Sequence, residues 1–133
     1  MDEQKLHSIP LFASLNPAQL RDVAQHADEV DVPAGKALLR EGAFAYEFMV
    51  IESGQAEVTR DGAHVADLGP GDFLGEIAAL ERGRRNATVT ARSPMTLAVI
   101  SAQNLRRLAD AIPDLDRTVR ATAAERHPLS HAG

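Results

Sequence analysis

Residues 29–100 constrain the fold more than any other part of the chain, because short apolar runs there are separated by turn residues. Turn signals such as Pro33 to Gly35 and Glu52 to Gly54 recur every several residues, as in an antiparallel barrel or sandwich. Asp61 and Gly62 lie between two such runs and predict a two-residue hairpin turn, which needs positive φ at its central residues. The strands are predicted at residues 30–32, 37–40, 48–51, 56–60, 63–68, 71–74, 87–91 and 95–100.

The chain before the strands is predicted to be helical over residues 6–28, in two pieces. Asn16 and Pro17 give a helix start, because Asn caps free amides and Pro fits the first helical position. Leu20 and Val23 follow at helical spacing, and we expect their side chains to cover one end of the sheet structure.

Two helices are predicted after the strands, within residues 101–126. Ser101 is expected to cap the first of them, and Pro113 is expected to begin the second. Leu115 and Val119 lie on one face of that second helix.

The predicted fold class is mostly β with flanking α. We expect an antiparallel, eight-stranded, jelly-roll-like β-barrel over residues 29–100, with an N-terminal helix and two C-terminal helices. Residues 1–126 are predicted to form a single domain, which a chain of 133 residues allows. Residues 127–133 hold little apolar material and are predicted to be a disordered tail.

Composition argues against several classes of partner. The formal net charge of −5 is a poor match for nucleic acid, and aromatic residues make up only 4% of the chain. The absence of cysteine excludes disulfides and thiolate metal sites. No run approaches the roughly 18 apolar residues that a membrane span needs, and the acidic N-terminus is unlike a signal peptide. We therefore predict a cytoplasmic protein that binds neither nucleic acid nor membrane.

The sequence contains no recognisable catalytic set. A cupin-like enzyme would need metal-ligating histidines clustered on its strands, and the histidines here show no metal-binding spacing with a carboxylate. They are His7, His26, His64, His127 and His131. We predict that the chain is not an enzyme and that it holds no metal and no cofactor.

The stretch GDFLGEIAALERGRRNATV, residues 71–89, combines a glycine, an acid and an arginine around a short helical run. Gly75 permits a sharp entry into that run, whose free N-terminal amides would favour a phosphate. Arg85 would add a bidentate cation, and Glu76 would suit sugar hydroxyls better than a phosphate. The set suggests a small sugar phosphate or nucleotide. The alternative is that Glu76 and Arg85 form an ordinary ion pair that braces a surface loop.

This stretch resembles the phosphate-binding cassette of the cyclic nucleotide-binding domain family. The cassette reads Phe-X-Gly-Glu-(Leu/Ile)-Ala, then a short loop, then Arg-X-Ala-(Thr/Ser)-Val, and residues 73–78 and 85–89 match it without a gap. The segments IPLFASLNPAQL, VPAGKALLREG and LGPGDFLGE also look like this family, so the resemblance covers roughly residues 6–120.

The resemblance implies a role for each matched residue. Glu76 would accept the ribose 2′-hydroxyl, and Arg85 would pair with an equatorial oxygen of the cyclic phosphate. Backbone amides near Ile77, Ala78 and Ala87 would complete the cradle, on a short phosphate-binding helix inside the barrel. The implied nucleotide-binding residues are Gly75, Glu76, Ile77, Ala78, Arg85, Asn86 and Ala87.

Two features of the match leave alternatives open. Arg84 would take the place of Arg85 if the register slipped by one residue, although only Arg85 stands two residues before Ala87. Asn86 occupies a position where the family usually has Ala, Ser or Thr, and where a hydroxyl often accompanies guanine binding. An amide both donates and accepts hydrogen bonds, so the choice between cAMP and cGMP stays open, with cAMP favoured.

Members of this family close a C-terminal helix over the base. The candidate residues for such a lid are Leu115, Val119, Arg120 and Thr122, although plain helix packing or exposure to solvent explains each of them equally well. The implied function is a regulatory sensor of a 3′,5′-cyclic nucleotide that signals to an effector protein through its C-terminal helices. The alternative is a domain that uses the same fold for protein–protein contact without nucleotide. The sequence gives no oligomeric state.

Overall fold

The structure of the protein is a computed structural model, which describes residues 1–43, 46–75 and 87–126, without the side chains of residues 122–126. The helical elements at the N-terminus are α1 (Glu3–His7), a 3₁₀ helix (Pro10–Phe12) and α2 (Pro17–His26). The strands are β1 (Ala27–Val32), β2 (Ala37–Leu39), β3 (Glu47–Ser53), β4 (Ala56–Arg60), β5 (Ala63–Leu68), β6 (Phe73–Leu74), β7 (Thr88–Ala91) and β8 (Met95–Ser101). The C-terminal helices are α3 (Ala102–Ala111) and α4 (Pro113–Arg126).

The described strands form two antiparallel four-stranded sheets. One sheet, called proximal because it packs against the helices, has the order β1-β8-β3-β6. The other, called distal, has the order β2-β7-β4-β5. The prediction of a mostly β, antiparallel fold with flanking helices is confirmed. The expected single closed barrel is not what these strands form, because β6 pairs only with β3 and β7 pairs only with β2 and β4. The predicted inner helix falls within residues 76–86, outside the described residues.

Strand β3 explains how the layers stack. Its side chains alternate between two apolar clusters: Phe48 and Val50 pack with the helices, while Met49 and Ile51 pack between the sheets. A strand covered on both faces has no polar side, which is why FMVI is continuously apolar. The proximal sheet is therefore the middle layer, with the helices on one face and the distal sheet on the other.

The N-terminal helical region is divided more finely than the predicted range of residues 6–28. Helix α1 begins at Glu3, because the Asp2 carboxylate caps it by accepting a hydrogen bond from the Gln4 amide at 2.7 Å. Helix α2 begins as predicted, with Asn16 and Gln19 forming a reciprocal capping box. It ends earlier than predicted, because Ala27 already pairs with Ile100 in β1.

The two C-terminal helices cover the outer face of the proximal sheet together with the N-terminal helices. Ser101 caps α3 by accepting from the Asn104 amide at 3.1 Å, as its sequence predicts. Leu115 and Val119 of α4 are almost completely buried, at 2% and 1% exposure, in the same cluster as Phe48. Helix α4 contacts both α3 and the 3₁₀ helix. These two side chains are core residues in this structure.

Two glycines sit in turns with positive φ but in different surroundings. Gly62 has a φ of 80° and follows Asp61, whose φ is 53°, so the predicted two-residue hairpin turn is confirmed. A Cβ added to Gly62 would have no atom within 4 Å. At Gly54, which has a φ of 95°, an added Cβ would lie 2.5 Å from the Pro94 carbonyl oxygen and 2.9 Å from the Met95 Cα.

We predict that Gly54→Ala destabilises the protein more than Gly62→Ala does. Both substitutions carry the strain of positive φ, about 1–2 kcal/mol, but only Gly54→Ala forces a backbone contact, which adds roughly 1–3 kcal/mol. Urea denaturation of the two variants measures the difference. Equal losses of unfolding free energy would show that a Cβ at Gly54 does not collide with the backbone of Pro94 and Met95.

The burial of Leu115 gives a second prediction. Leu115→Ala should lower the free energy of unfolding of the ligand-free protein by about 2–5 kcal/mol, since it leaves a cavity in the helical cluster. Arg117→Ala on the same helix is the control: its side chain is 73% exposed and pairs with Asp114, so its loss should stay below about 1 kcal/mol. A cost for Leu115→Ala as small as that of the control would contradict the core placement.

Candidate functional site

The candidate cassette connects the two sheets. It leaves the proximal sheet after β6, where Gly75 is buried with a φ of 84°, as expected for a sharp turn after a strand. It returns at Ala87, which is 3% exposed and directly precedes β7 of the distal sheet. The described residues on either side of residues 76–86, a segment called the crossing below, therefore belong to different sheets.

Strand pairing determines where the two ends of this crossing lie. Leu74 faces Met49, so Gly75 lies beside the start of β3. Val89 faces Leu39, so Ala87 lies beside the end of β2. The Thr88 side-chain oxygen accepts a hydrogen bond from the Glu41 amide at 3.1 Å, which ties the return of the crossing to the loop after β2.

A cavity of about 180 Å³ opens where β2 ends and β3 begins. Its lining is contributed by both sheets and by the loop between them. The lining residues are Ala37, Leu38, Leu39, Arg40, Ala43, Tyr46, Glu47 and Met49. We call this cavity the mouth of the sandwich. Both ends of the crossing lie beside it.

A row of apolar side chains crosses the distal sheet on its inner face. Ala66 faces Val58, Val58 faces Val89, and Val89 faces Leu39, so the row reaches from β5 to β2. Ala66 is only partly buried, as are Val65 on the same strand and Leu38 on β2, and all three pack against the cluster between the sheets. The row forms an apolar wall that still has accessible surface.

The sequence prediction of the site did not include this wall. Ala66 and Val58 belong to short alternating strands, a pattern that predicts a core face in any sandwich. A ligand-facing position differs from a core position only in being incompletely covered, which depends on the packing of both sheets.

The structure describes only part of the predicted binding set. Gly75 and Ala87 frame the crossing, as their places in the sequence predict. The other predicted residues, together with the alternative Arg84, lie outside the described residues. They are Glu76, Ile77, Ala78, Arg85 and Asn86.

Two of the four predicted lid residues, Leu115 and Val119, do not face the mouth in this structure. Leu115 and Val119 lie in the helical cluster on the far face of the proximal sheet. The Arg120 side chain donates to Asp116 at 2.8 Å, one turn earlier on α4, and the side chain of Thr122 is not described. Any closure of α4 over the mouth would therefore require it to leave the helical cluster.

A carboxylate on the distal sheet, that of Glu57, contacts two basic side chains. His64 has its Nδ1 2.7 Å from the Glu57 carboxylate, which also contacts Arg92. Residues 1–43, 46–75 and 87–126 contain no group of three or more His, Cys, Asp or Glu side chains placed to hold a metal ion. Over the same residues, no helix is long and apolar enough to cross a membrane.

Curated relatives match most of this chain, but the match covers only a minor part of each relative. The cAMP-dependent protein kinase regulatory subunit of Schizosaccharomyces pombe is 34% identical over 116 residues, or 86% of this chain. A cyclic nucleotide-gated potassium channel of Rhizobium etli is 32% identical over 123 residues, or 92% of this chain. The chain spans 28% and 34% of the lengths of these two relatives.

Solved structures share the fold. The catabolite activator protein of Thermus thermophilus superposes with a TM-score of 0.77 at 25% identity, over 88% of this chain and 57% of that one. The sequence profile described as cyclic nucleotide-binding domain matches residues 29–111, which include most of β1, all seven strands from β2 to β8, and α3. The chain belongs to the cyclic nucleotide-binding domain family.

Proposed function

We propose that the chain is a regulatory sensor of a 3′,5′-cyclic nucleotide, with cAMP preferred over cGMP. One observation supports the proposal: Gly75 and Ala87, which flank the segment that contains Glu76 and Arg85, lie in different sheets, beside the start of β3 and the end of β2, where a cavity opens. A cyclic nucleotide has an anionic phosphate, a ribose hydroxyl and a flat base, and this part of the chain offers a partner for each.

The cassette would bind the polar half of the ligand, which is the cyclic phosphate and the ribose. Arg85 would neutralise the cyclic phosphate with a bidentate contact, and Glu76 would accept the ribose 2′-hydroxyl. Gly75 and Ala87 fix the two ends of the segment that carries both side chains. Amides near Ile77, Ala78 and Ala87 would supply further donors to the phosphate.

The apolar half of the ligand would lie against the distal sheet. Val65, Ala66 and Leu38 are only partly buried where they pack against the cluster between the sheets, and a purine would bury the surface that they leave accessible. None of these three side chains can form a hydrogen bond, so the wall itself does not discriminate adenine from guanine. The discrimination would rest on Asn86, where a hydroxyl that often accompanies guanine binding is absent, and we therefore favour cAMP.

The ligand would signal by shifting the position of α4. Leu115 and Val119 anchor this helix in the helical cluster, and they would have to leave it to cover the base with Arg120 and Thr122. A ligand shifts such an equilibrium only by its difference in affinity for the two states. We propose that an effector protein senses the movement, as a kinase regulatory subunit and a channel are among the relatives. This cytoplasmic sensor would itself be non-catalytic, without metal or cofactor.

Thermal unfolding tests the ligand class. At about 100 times its dissociation constant, a bound nucleotide stabilises the folded protein by roughly 2.7 kcal/mol, so cAMP and cGMP should raise the melting temperature by several degrees. AMP, which lacks the cyclic phosphate, is the control and should have little effect. Absence of a shift with either cyclic nucleotide, in protein verified to be ligand-free, would favour the nucleotide-independent contact domain.

A pair of adjacent arginines tests the assigned site. Arg85→Ala should weaken binding of cAMP by about 30-fold or more, because it removes the cation paired with the phosphate, a loss of roughly 2 kcal/mol or more. Arg84→Ala removes the same charge one residue earlier and should change the dissociation constant less than about threefold. Isothermal titration measures both constants. A reversed order would move the phosphate contact to Arg84, and no effect of either variant would reject the site.

A further inference from the structure

A carboxyl pair lies on the helix-covered face of the proximal sheet, away from the candidate site. Glu29 is on β1 and Glu52 is near the end of β3, and the strand between them contributes the small residue Ala98, which pairs with both Glu29 and Val50. Lys5 of α1 reaches this face, with its Nζ 3.1 Å and 3.3 Å from the two Glu29 carboxylate oxygens. The pair therefore sits where the N-terminal segment meets the sheet.

Glu52 borders a cavity of about 330 Å³. The cavity lies between the N-terminal segment, the end of β3 and the turn that leads into β6. Its lining residues are Ser8, Ile9, Pro10, Ile51, Glu52, Pro70 and Gly71. The Oε2 atom of Glu52 is buried and has no hydrogen-bond partner among the described residues.

A proton on Glu52 would allow the two carboxyl groups to form a hydrogen bond. Ionised carboxylates only accept hydrogen bonds, so Glu29 and Glu52 cannot bond to each other when both are charged. If Glu52 carries a proton, its hydroxyl can donate to Glu29, which remains ionised beside Lys5. Burial, then the hydrogen bond and the charge of Glu29, raise the pKa of Glu52 to about 7, against the opposing charge of Lys5. Lys5 and Glu52 lower the pKa of Glu29.

We propose that Glu29 and Glu52 share one proton and so form a proton-dependent clasp, with Lys5, that holds residues 5–10 against β1 and β3. The other acidic side chains near the clasp do not stabilise an ionised Glu52. Asp31 on β1 adds negative charge and accepts a hydrogen bond from the Thr96 hydroxyl at 2.8 Å. Asp72, in the turn after the cavity, accepts from the Gly69 amide at 2.9 Å.

The direction of the pH effect follows from the raised pKa of Glu52. Between its ordinary value of 4.5 and about 7, the folded protein binds more protons at this site than the unfolded chain does. The contribution of Glu52 to stability is therefore complete at low pH, declines as pH rises through this window, and is lost above about 7. Once Glu52 ionises, a charged carboxylate is partly buried at the cavity that residues 8–10 help to line, so its hydration favours moving that segment away, against the attraction of Lys5.

The clasp also adjoins the turn that leads to the candidate site. The Gly71 amide donates to the Ile51 carbonyl and the Ile51 amide donates to the Asp72 carbonyl, both at 2.8 Å. A shift of the backbone at Glu52 would therefore be passed through Ile51 to Gly71 and Asp72, the two turn residues to which Ile51 is hydrogen-bonded. The proposal itself needs no nucleotide and does not depend on the proposed function.

Carboxyl NMR of the wild-type protein tests the shared proton directly. With ¹³C-labelled glutamate, the Glu52 side-chain carbon, assigned by its loss in Glu52→Gln, should titrate with a midpoint near 7. Lys5→Met removes the opposing positive charge and should move that midpoint to higher pH. A Glu52 midpoint near the ordinary value of 4.5 would overturn the proposal.

Hydrogen exchange tests the clasp. The protection factors of the Ile9 and Phe12 amides, which donate within the N-terminal segment, should fall by up to about tenfold between pH 6 and pH 8, an upper bound because Glu52 is partly exposed. Glu52→Gln should abolish this fall, whereas the control Glu3→Gln, on α1, should retain it. An equal fall in Glu52→Gln, or no fall in the wild type, would show that Glu52 does not hold the segment.

Discussion

Both faces of the proximal sheet are covered, one by helices and the other by the distal sheet, and the remaining architecture follows from that double burial. Phe48 and Val50 need the helices to keep them from water, while Met49 and Ile51 need the second sheet. Removing either outer layer would expose one side of β3 along its whole length. The burial of apolar area on two sides is therefore what makes the three layers one cooperative unit.

The sequence predicts the elements well where the local chemistry decides them. The hairpin at Asp61 and Gly62, the Asn16 start of α2 and the Ser101 cap all depend on a few neighbouring residues. The sequence predicts the arrangement of the sheets less well, because an alternating apolar pattern is the same for a closed barrel and for two facing sheets. Which strands hydrogen-bond to one another depends on contacts far apart in sequence, as when β7 pairs with β2 and β4.

The candidate site shows the same division between local and distant information. Residues 71–89 can be identified from their order alone, since a phosphate cassette is one continuous segment. The apolar wall comes from β5, β4, β7 and β2, and Ala66 and Leu39, at its two ends, belong to one row only through the strand register. The carboxyl pair is also invisible in the sequence, because Glu29 and Glu52 are brought together across β8.

A short relay of hydrogen bonds joins the return of the crossing to the tip of the β4–β5 hairpin. The Glu41 amide donates to Thr88, and the Glu41 carboxylate accepts from the Asp61 amide at 2.9 Å. Ala63, beside that tip, is exposed. Because the chain contains no cysteine, Ala63→Cys would supply a unique thiol for a fluorescent dye. A dye there would sit on the outside of the molecule, two residues from Asp61, and its fluorescence would test whether a change at Thr88, the first residue of β7, reaches the hairpin tip.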